Sequence, residues 1–284
     1  MHQVDCLFPS VDSWVILSSL EQSIKNKIEA VGTPLREWDI NIYRGVLTGY
    51  NDAFIIDSAK REEILLNCKT EEERLRTTEL IRPILRGRDI KRYSYDWAGL
   101  WLINTHNGVK GGLSPIDIND YPSVKQYLDL HWEKIKKRED KGITPYNLRN
   151  CAYMDDFNKP KIVWIELSDE AKFTICEELI PLNTVFFITG EKLYNILGML
   201  NAKITKWYFT HCLGTTSGVG TNRWLKYTIE QLPLIYNMDE QFESIVKSIL
   251  SKPTIDLEKK IDKILYQAYN LSNEEIDFIE SFTQ

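Results

Sequence analysis

Asp156 followed by Glu170-Ala171-Lys172 has the Asp…Glu-x-Lys order of metal-dependent nucleases, where two carboxylates hold a divalent cation beside a lysine. With 35 Lys and Arg and 41 Asp and Glu in 284 residues, that order arises readily by chance, and "SDEAKF" reads equally as a solvated loop after a strand. His2, His106, His131 and His211 have no ligand-like spacing with one another or with a cysteine. His131 falls on an apolar helical face, where a satisfied core histidine is the usual case. The five cysteines are scattered and odd in number, which predicts reduced thiols and a cytoplasmic setting. "TSGVGTNR" offers glycines without the lysine of a P-loop. A Gly-rich cofactor loop and an Asn/Asp-Pro-Pro-aromatic loop for amino-group methylation are both absent from these 284 residues. The sequence predicts no catalytic and no metal centre.

What remains is charge that can grip an anion. The formal net charge is −6, yet "RPILRGRDIKRY" holds Arg82, Arg86, Arg88, Lys91 and Arg92 against one acid, Asp89. In an extended segment Arg86, Arg88 and Arg92 share a face while Lys91 takes the other, and Asp89 is expected to tie down one arginine. Residues 201–228 carry four cations and no acid, whereas residues 252–280 hold four lysines against seven acids. A basic centre with an acidic tail suits a polyanion. In "GTTSGVGTNR" small residues permit close backbone approach, and Thr215, Thr216, Ser217 and Arg223 are candidate phosphate donors. In "NTHNGVKGG", Asn107 and Lys110 are candidates for a groove edge or a phosphate, with an ordinary Asn-Gly turn as the alternative. Asn147 and Arg149 are weaker candidates. Trp207 and Trp224 are expected in the core, the usual place for large aromatics.

The elements that must position these residues read as mixed α/β: a β-rich body with flanking helices and a small helical C-terminal part. Apolar steps of three and four over 13–31 predict a helix that Gly32 and Pro34 stop. "WDINIYRGVLTG", "DAFIID", "LWLINTH", "KIVWIEL" and "NTVFFITG" predict strands. "KREEILLNCKTEEERLRTTELI" and Tyr121–Arg138 predict helices, and Thr189 is expected to cap another. In the tail, "SNEE" has the Ser272/Glu275 spacing of a capping box, with Leu271 and Ile276 placed as a staple. The expected boundaries are an N-terminal helix and linker over 1–32, a body over 33–235 and helices over 236–284. No run is long enough to cross a bilayer, and the N-terminus lacks the features of a signal peptide.

Four segments in order, "GVLTGYNDAFIID", "IRPILRGRDIKRY", "FNKPKIVWIEL" and "LGMLNAKITKWYF" leading through "GVGTNRW" to "IEQLPL", together with the tail "IDKILYQAYNLSNEEIDFIE", resemble the TaqI-type C-terminal specificity domain of adenine-N6 DNA methyltransferases and type IIG restriction–modification enzymes. The likeness runs from about residue 14 onward. It implies a target recognition domain that reads double-stranded DNA through the major groove beside a methyltransferase catalytic domain or subunit. That companion would hold S-adenosylmethionine and the flipped adenine, with magnesium a further candidate cofactor of the parent enzyme. Recognition residues differ with each target in that family, so none transfers by identity; "TGYN" and "RGRDI" stand at shared motif positions, which implies backbone contact or scaffold. Two other readings are a fragment with its own nuclease site at Asp156, Glu170 and Lys172, and a protein-interaction module docking through residues 252–284.

Overall fold

A computed structural model describes residues 17–213 and 222–282. Ser18 opens α1 (Ser19–Val31) with a capping box: its hydroxyl accepts the Glu21 N–H at 3.3 Å and its own N–H donates to Glu21 Oε2 at 2.7 Å. The chain then forms β1 (Ile40–Arg44), a helical turn over Asn51–Phe54, and β2 (Ile55–Asp57). The expected single charged helix is two, α2 (Ser58–Leu66) and α3 (Glu71–Leu80), because Thr70 caps a fresh start by accepting the Glu73 N–H at 3.1 Å. β3 (Ile81–Leu85) and β4 (Leu100–Ile103) follow, then α4 (Pro122–Asp129), with Pro122 in the first turn. The expected helix over Tyr121–Arg138 breaks at Leu130–His131 and resumes for one turn.

Strands β5 (Lys161–Ile165), β6 (Thr174–Cys176), β7 (Ile180–Pro181) and β8 (Val185–Gly190) lead into α5 (Leu193–Asn201) and α6 (Lys203–Tyr208). Thr189 does not cap α5. It lies in β8 with its hydroxyl 3.0 Å from Asp156 Oδ1, and α5 starts after Lys192, which adopts φ 54°. The tail forms three helices, α7 (Glu240–Ser251), α8 (Ile255–Ala268) and α9 (Asn273–Phe282). The Ser272/Glu275 capping box is present.

One sheet has the order β1-β8-β5-β6, antiparallel throughout; the other has the order β7-β3-β4-β2, with β7 parallel to β3. The first sheet is a wall between two cores. Ile42, Ile162, Trp164, Phe186 and Ile188 face α1 and α5–α9, while Val163, Val185 and Phe187 face the second sheet and α4. Burial on both faces explains why β5 and β8 read as unbroken apolar runs instead of alternating ones. The first core takes Ile24 and Ile28 of α1 together with Phe242, Val246, Ile261, Leu265 and Ile279 of the last three helices. Both boundaries expected from the sequence, at 32 and 235, therefore fall inside one core.

Candidate functional site

The first sheet and the second meet at an open groove of about 680 Å³ lined by Arg44, Asn51, Asp52, Arg86, Gly87, Arg88, Glu166, Leu167 and Thr184, among others. Each wall residue stands at the end of an element. Arg44 terminates β1; Glu166 and Leu167 follow β5; Arg86–Arg88 follow β3. Gly87 permits the closeness: a Cβ there would sit 2.8 Å from Ile165 Cγ2 and 3.2 Å from Thr184 Oγ1. Asn51 and Asp52 begin the helical turn after Thr48, whose hydroxyl bonds Asn51 Oδ1 at 2.6 Å.

The five cations of "RPILRGRDIKRY" diverge, because residues 87–89 form a 3₁₀ turn and not the extended strand that would align them. Arg86 and Arg88 line the groove. Asp89 braces Arg86 as a fork, Nε at 2.8 Å and Nη2 at 2.7 Å, and holds that guanidinium above its ordinary value. Arg88 is exposed and has no ion pair among the described residues. Arg82 lies at the other end of β3, donating to Asn158 Oδ1 at 3.2 Å. Lys91 pairs with Asp96 across a two-residue hairpin. Arg92 turns away to α8, meeting Glu258 at 2.5 Å and the Asn201 carbonyl.

The remaining candidates divide in the same way. Arg223 reaches the groove rim: it bridges to Leu167 in a β-type pair and its Nη2 lies 2.6 Å from Glu166 Oε1. Thr215, Thr216 and Ser217 lie outside the described residues. Lys110 is exposed. Asn107 is held in a clasp, accepting the Ile143 N–H at 2.8 Å and donating to Asn150. Asn147 is buried, with its amide donating to the Ile116 carbonyl at 2.9 Å and its oxygen taking the Thr144 hydroxyl at 2.5 Å. Arg149 pairs with Asp140 at 3.1 Å. Trp207 and Trp224 are buried, the latter stacked on Phe209 at 3.9 Å.

The Asp…Glu-x-Lys order does not assemble. Thr189, which binds Asp156, sits on β8 beyond Ile188, the partner of Ile162 at the start of β5; Glu170 lies past the far end of β5, where Ile165 pairs with Val185. The five residues of β5 separate them by about 16 Å. Lys172 lies 3.5 Å from Glu170. Among the described residues no group of three or more His, Cys, Asp and Glu is placed to hold a metal ion, and no helix is long and apolar enough to cross a membrane.

Four functional candidates were not singled out individually from the sequence, Asn51 standing out only as the last residue of "TGYN". Arg44, Asn51, Asp52 and Glu166 are single polar residues at strand or turn ends, and only the fold makes them neighbours. Arg44 donates Nε to the Asn183 carbonyl at 2.6 Å and places Nη2 3.7 Å from Glu166 Oε2. A fifth is Arg138, 6% exposed, whose guanidinium donates to the carbonyls of Thr48, Asp140, Pro145 and Asn147 and stacks 4.3 Å from the Phe54 ring. It has no carboxylate partner among the described residues, and burial pushes it down to about 10, still charged at neutral pH. Its role is to fix the 48–52 turn on one side of the groove.

Chemically, four guanidiniums from three segments of the chain gather around an open cleft, where Asp89 and Glu166 pair with three of them and Asp52 lines the wall. That is equipment for binding an anion with planar forks.

Residues 82–234 match the TaqI-like C-terminal specificity domain. The type II methyltransferase M.BstVI of Geobacillus stearothermophilus is 24% identical over 288 residues, covering 96% of this chain and 47% of that protein. The type II methyltransferase M.PaeR7I of Pseudomonas aeruginosa is 23% identical over 186 residues, covering 63% and 29%. The chain thus spans less than half the length of these relatives. Among solved structures, the type IIL restriction–modification enzyme MmeI in complex with DNA aligns over 88% of this chain and 36% of its own, with TM-score 0.58 and 14% identity. The type IIG restriction endonuclease BpuSI aligns over 92% and 31%, with TM-score 0.58 and 16% identity. The fold is shared with both.

Proposed function

The chain belongs to the TaqI-like C-terminal specificity domains, and from that premise we propose that it reads a short sequence in double-stranded DNA on behalf of a site-specific adenine-N6 methyltransferase, alone or fused to an endonuclease. The observation that carries this reading is the convergence of Arg44, Arg86, Arg88 and Arg223 on one open groove. Arginine forks match phosphate oxygens and the O6/N7 edge of guanine. Asn51 and Asp52 add amide and carboxylate groups of the kind that discriminate adenine and cytosine edges in a major groove. Thr215, Thr216 and Ser217, which precede Arg223 in the sequence, complete the proposed contact set, with Lys110 as an outlying phosphate contact. Arg82, Lys91, Arg92 and Asn107 act on the scaffold in this proposal, since each is committed to a partner away from the groove. S-adenosylmethionine and the target adenine belong to the companion catalytic domain.

Binding of the chain to a 30-base-pair duplex, measured over a series of salt concentrations, tests this. Each phosphate contact adds about −0.9 to the log–log slope. Arg88→Ala should flatten the slope by about that amount without altering the fold. Arg86→Ala should flatten it similarly and also lower thermal stability, because Asp89, 8% exposed, loses its fork. An unchanged slope in both variants sinks the proposal.

A further inference from the structure

Three of the four arginines around the groove pair with carboxylates of the same chain, Arg86 with Asp89 and both Arg44 and Arg223 with Glu166, an arrangement that weakens any simple electrostatic grip. Glu166 is the centre of it. Its Oε1 takes Arg223 at 2.6 Å and its Oε2 faces Arg44 at 3.7 Å, while its own side chain is 21% exposed. The ion pairs are not needed to hold the segments together. The Trp224 N–H donates to the Glu166 carbonyl at 2.7 Å, the Ser168 N–H to the Asn222 carbonyl at 3.3 Å, and Arg44 is anchored separately by the Asn183 carbonyl. The arginine side chains are about half exposed, 54% for Arg44 and 43% for Arg223, where such pairs contribute little to stability. The N–H groups that Arg44 and Arg223 direct at Glu166 are not free for a phosphate oxygen while the pairs hold, and the carboxylate's charge offsets theirs.

We propose that Glu166 is an internal competitor for the DNA backbone: it occupies Arg44 and Arg223 in the free protein and gives them up only to a duplex that seats fully in the groove. Specificity is a difference of affinities, and this carboxylate lowers the affinity for duplexes that offer phosphates alone. A fitting duplex offsets that cost through base-edge contacts that a random one lacks. The inference rests on the reading of the groove as the DNA surface.

The test uses the full chain, a 30-base-pair duplex of random sequence and a salt series, with Glu166→Gln and Glu166→Ala as independent variants and thermal melting as the check on folding. Both variants should bind about three- to ten-fold more tightly at low salt, with a slope steeper by about 0.9 for each arginine released. Adding Arg44→Ala and Arg223→Ala to either variant should abolish the gain. If the unaltered protein binds but both variants bind equally or more weakly with the same slope, Glu166 is a structural residue and this inference is overturned while the groove reading stands. If no form binds duplex, the groove reading falls and takes this inference with it.

Discussion

Replacing Arg138 with methionine keeps the aliphatic stem and removes the guanidinium, which isolates what that group does. Its two terminal nitrogens serve four carbonyls from three stretches of chain, including 2.8 Å to Asp140 and 3.0 Å to Pro145. A charge-assisted hydrogen bond contributes about 1.5–3 kcal/mol, but the four share one donor group and the freed loops regain water, so simple addition overstates the effect. Breaking a buried charged network costs about 3–5 kcal/mol. At about 2–4 °C per kcal/mol for a chain approaching this size, the melting midpoint should fall by about 6–20 °C. The penalty should be flat from pH 6 to 9. A base whose folded value is depressed to about 10 is fully charged in both folded and unfolded states there, so stability gains from its neutralisation begin only above that value. Arg138→Lys should recover less than half, since one ammonium cannot reproduce a planar fork. Amide exchange should accelerate over 45–52 and 139–148, and duplex affinity should fall with it. A midpoint within a degree or two of the unaltered protein, or exchange that rises elsewhere and not in those loops, refutes the assignment of Arg138 as the residue that positions the turn.

Two further expectations concern the helical core. Asp262 is buried between α6 and α8, faced by Arg92, Tyr93, Lys203, Glu280 and Tyr266; burial raises its carboxyl to about 6 from 3.8. A raised acid is stabilising when protonated, so its contribution is lost as pH climbs from about 4 to 7, by up to about 3 kcal/mol at 1.36 kcal/mol per unit. The unfolding free energy of Asp262→Asn relative to the unaltered protein should therefore improve over that interval; a pH-independent difference contradicts the burial argument. Gly198 lets α5 and α7 touch, since a Cβ would meet Val246 Cγ2 at 2.6 Å and the Phe242 ring at 2.8 Å. Gly198→Ala gains about 1 kcal/mol of helix propensity but overpacks the contact by about 1–3 kcal/mol. The urea midpoint should fall, and a midpoint that holds or rises refutes the close packing of α5 on α7.

Local signals in the sequence were reliable where local chemistry decides structure. The Ser272/Glu275 box, Pro122 in the first turn of α4 and the apolar runs of β5 and β8 all stand as read. The errors came where a competing partner lay far off in sequence. Thr189 has the side chain of a cap, yet Asp156, 33 residues away, takes its hydroxyl. The parallel pairing of β7 with β3 joins Ile180 to Ile84 with no hairpin to announce it. The apolar stripes of the C-terminal helices close the same core as α1.

The site was half legible for a related reason. Dense cations in a short segment are conspicuous, but a folded chain cannot leave five of them side by side without acids to relieve the repulsion. Asp89, Asp96 and Glu258 take Arg86, Lys91 and Arg92 respectively, and the 3₁₀ turn at Gly87 sends the side chains apart. The groove proposed to receive DNA also gathers single arginines from distant segments, placed by backbone contacts of their own. Arg44 at the end of β1 and Arg223 beside Leu167 are of that kind. The sequence trace of such a residue is a lone charge directly after a buried strand, as Glu166 is after "KIVWI". Continuing the strand would point that charge into a core; stopping the strand there leaves it at the rim, where it meets whatever the groove receives.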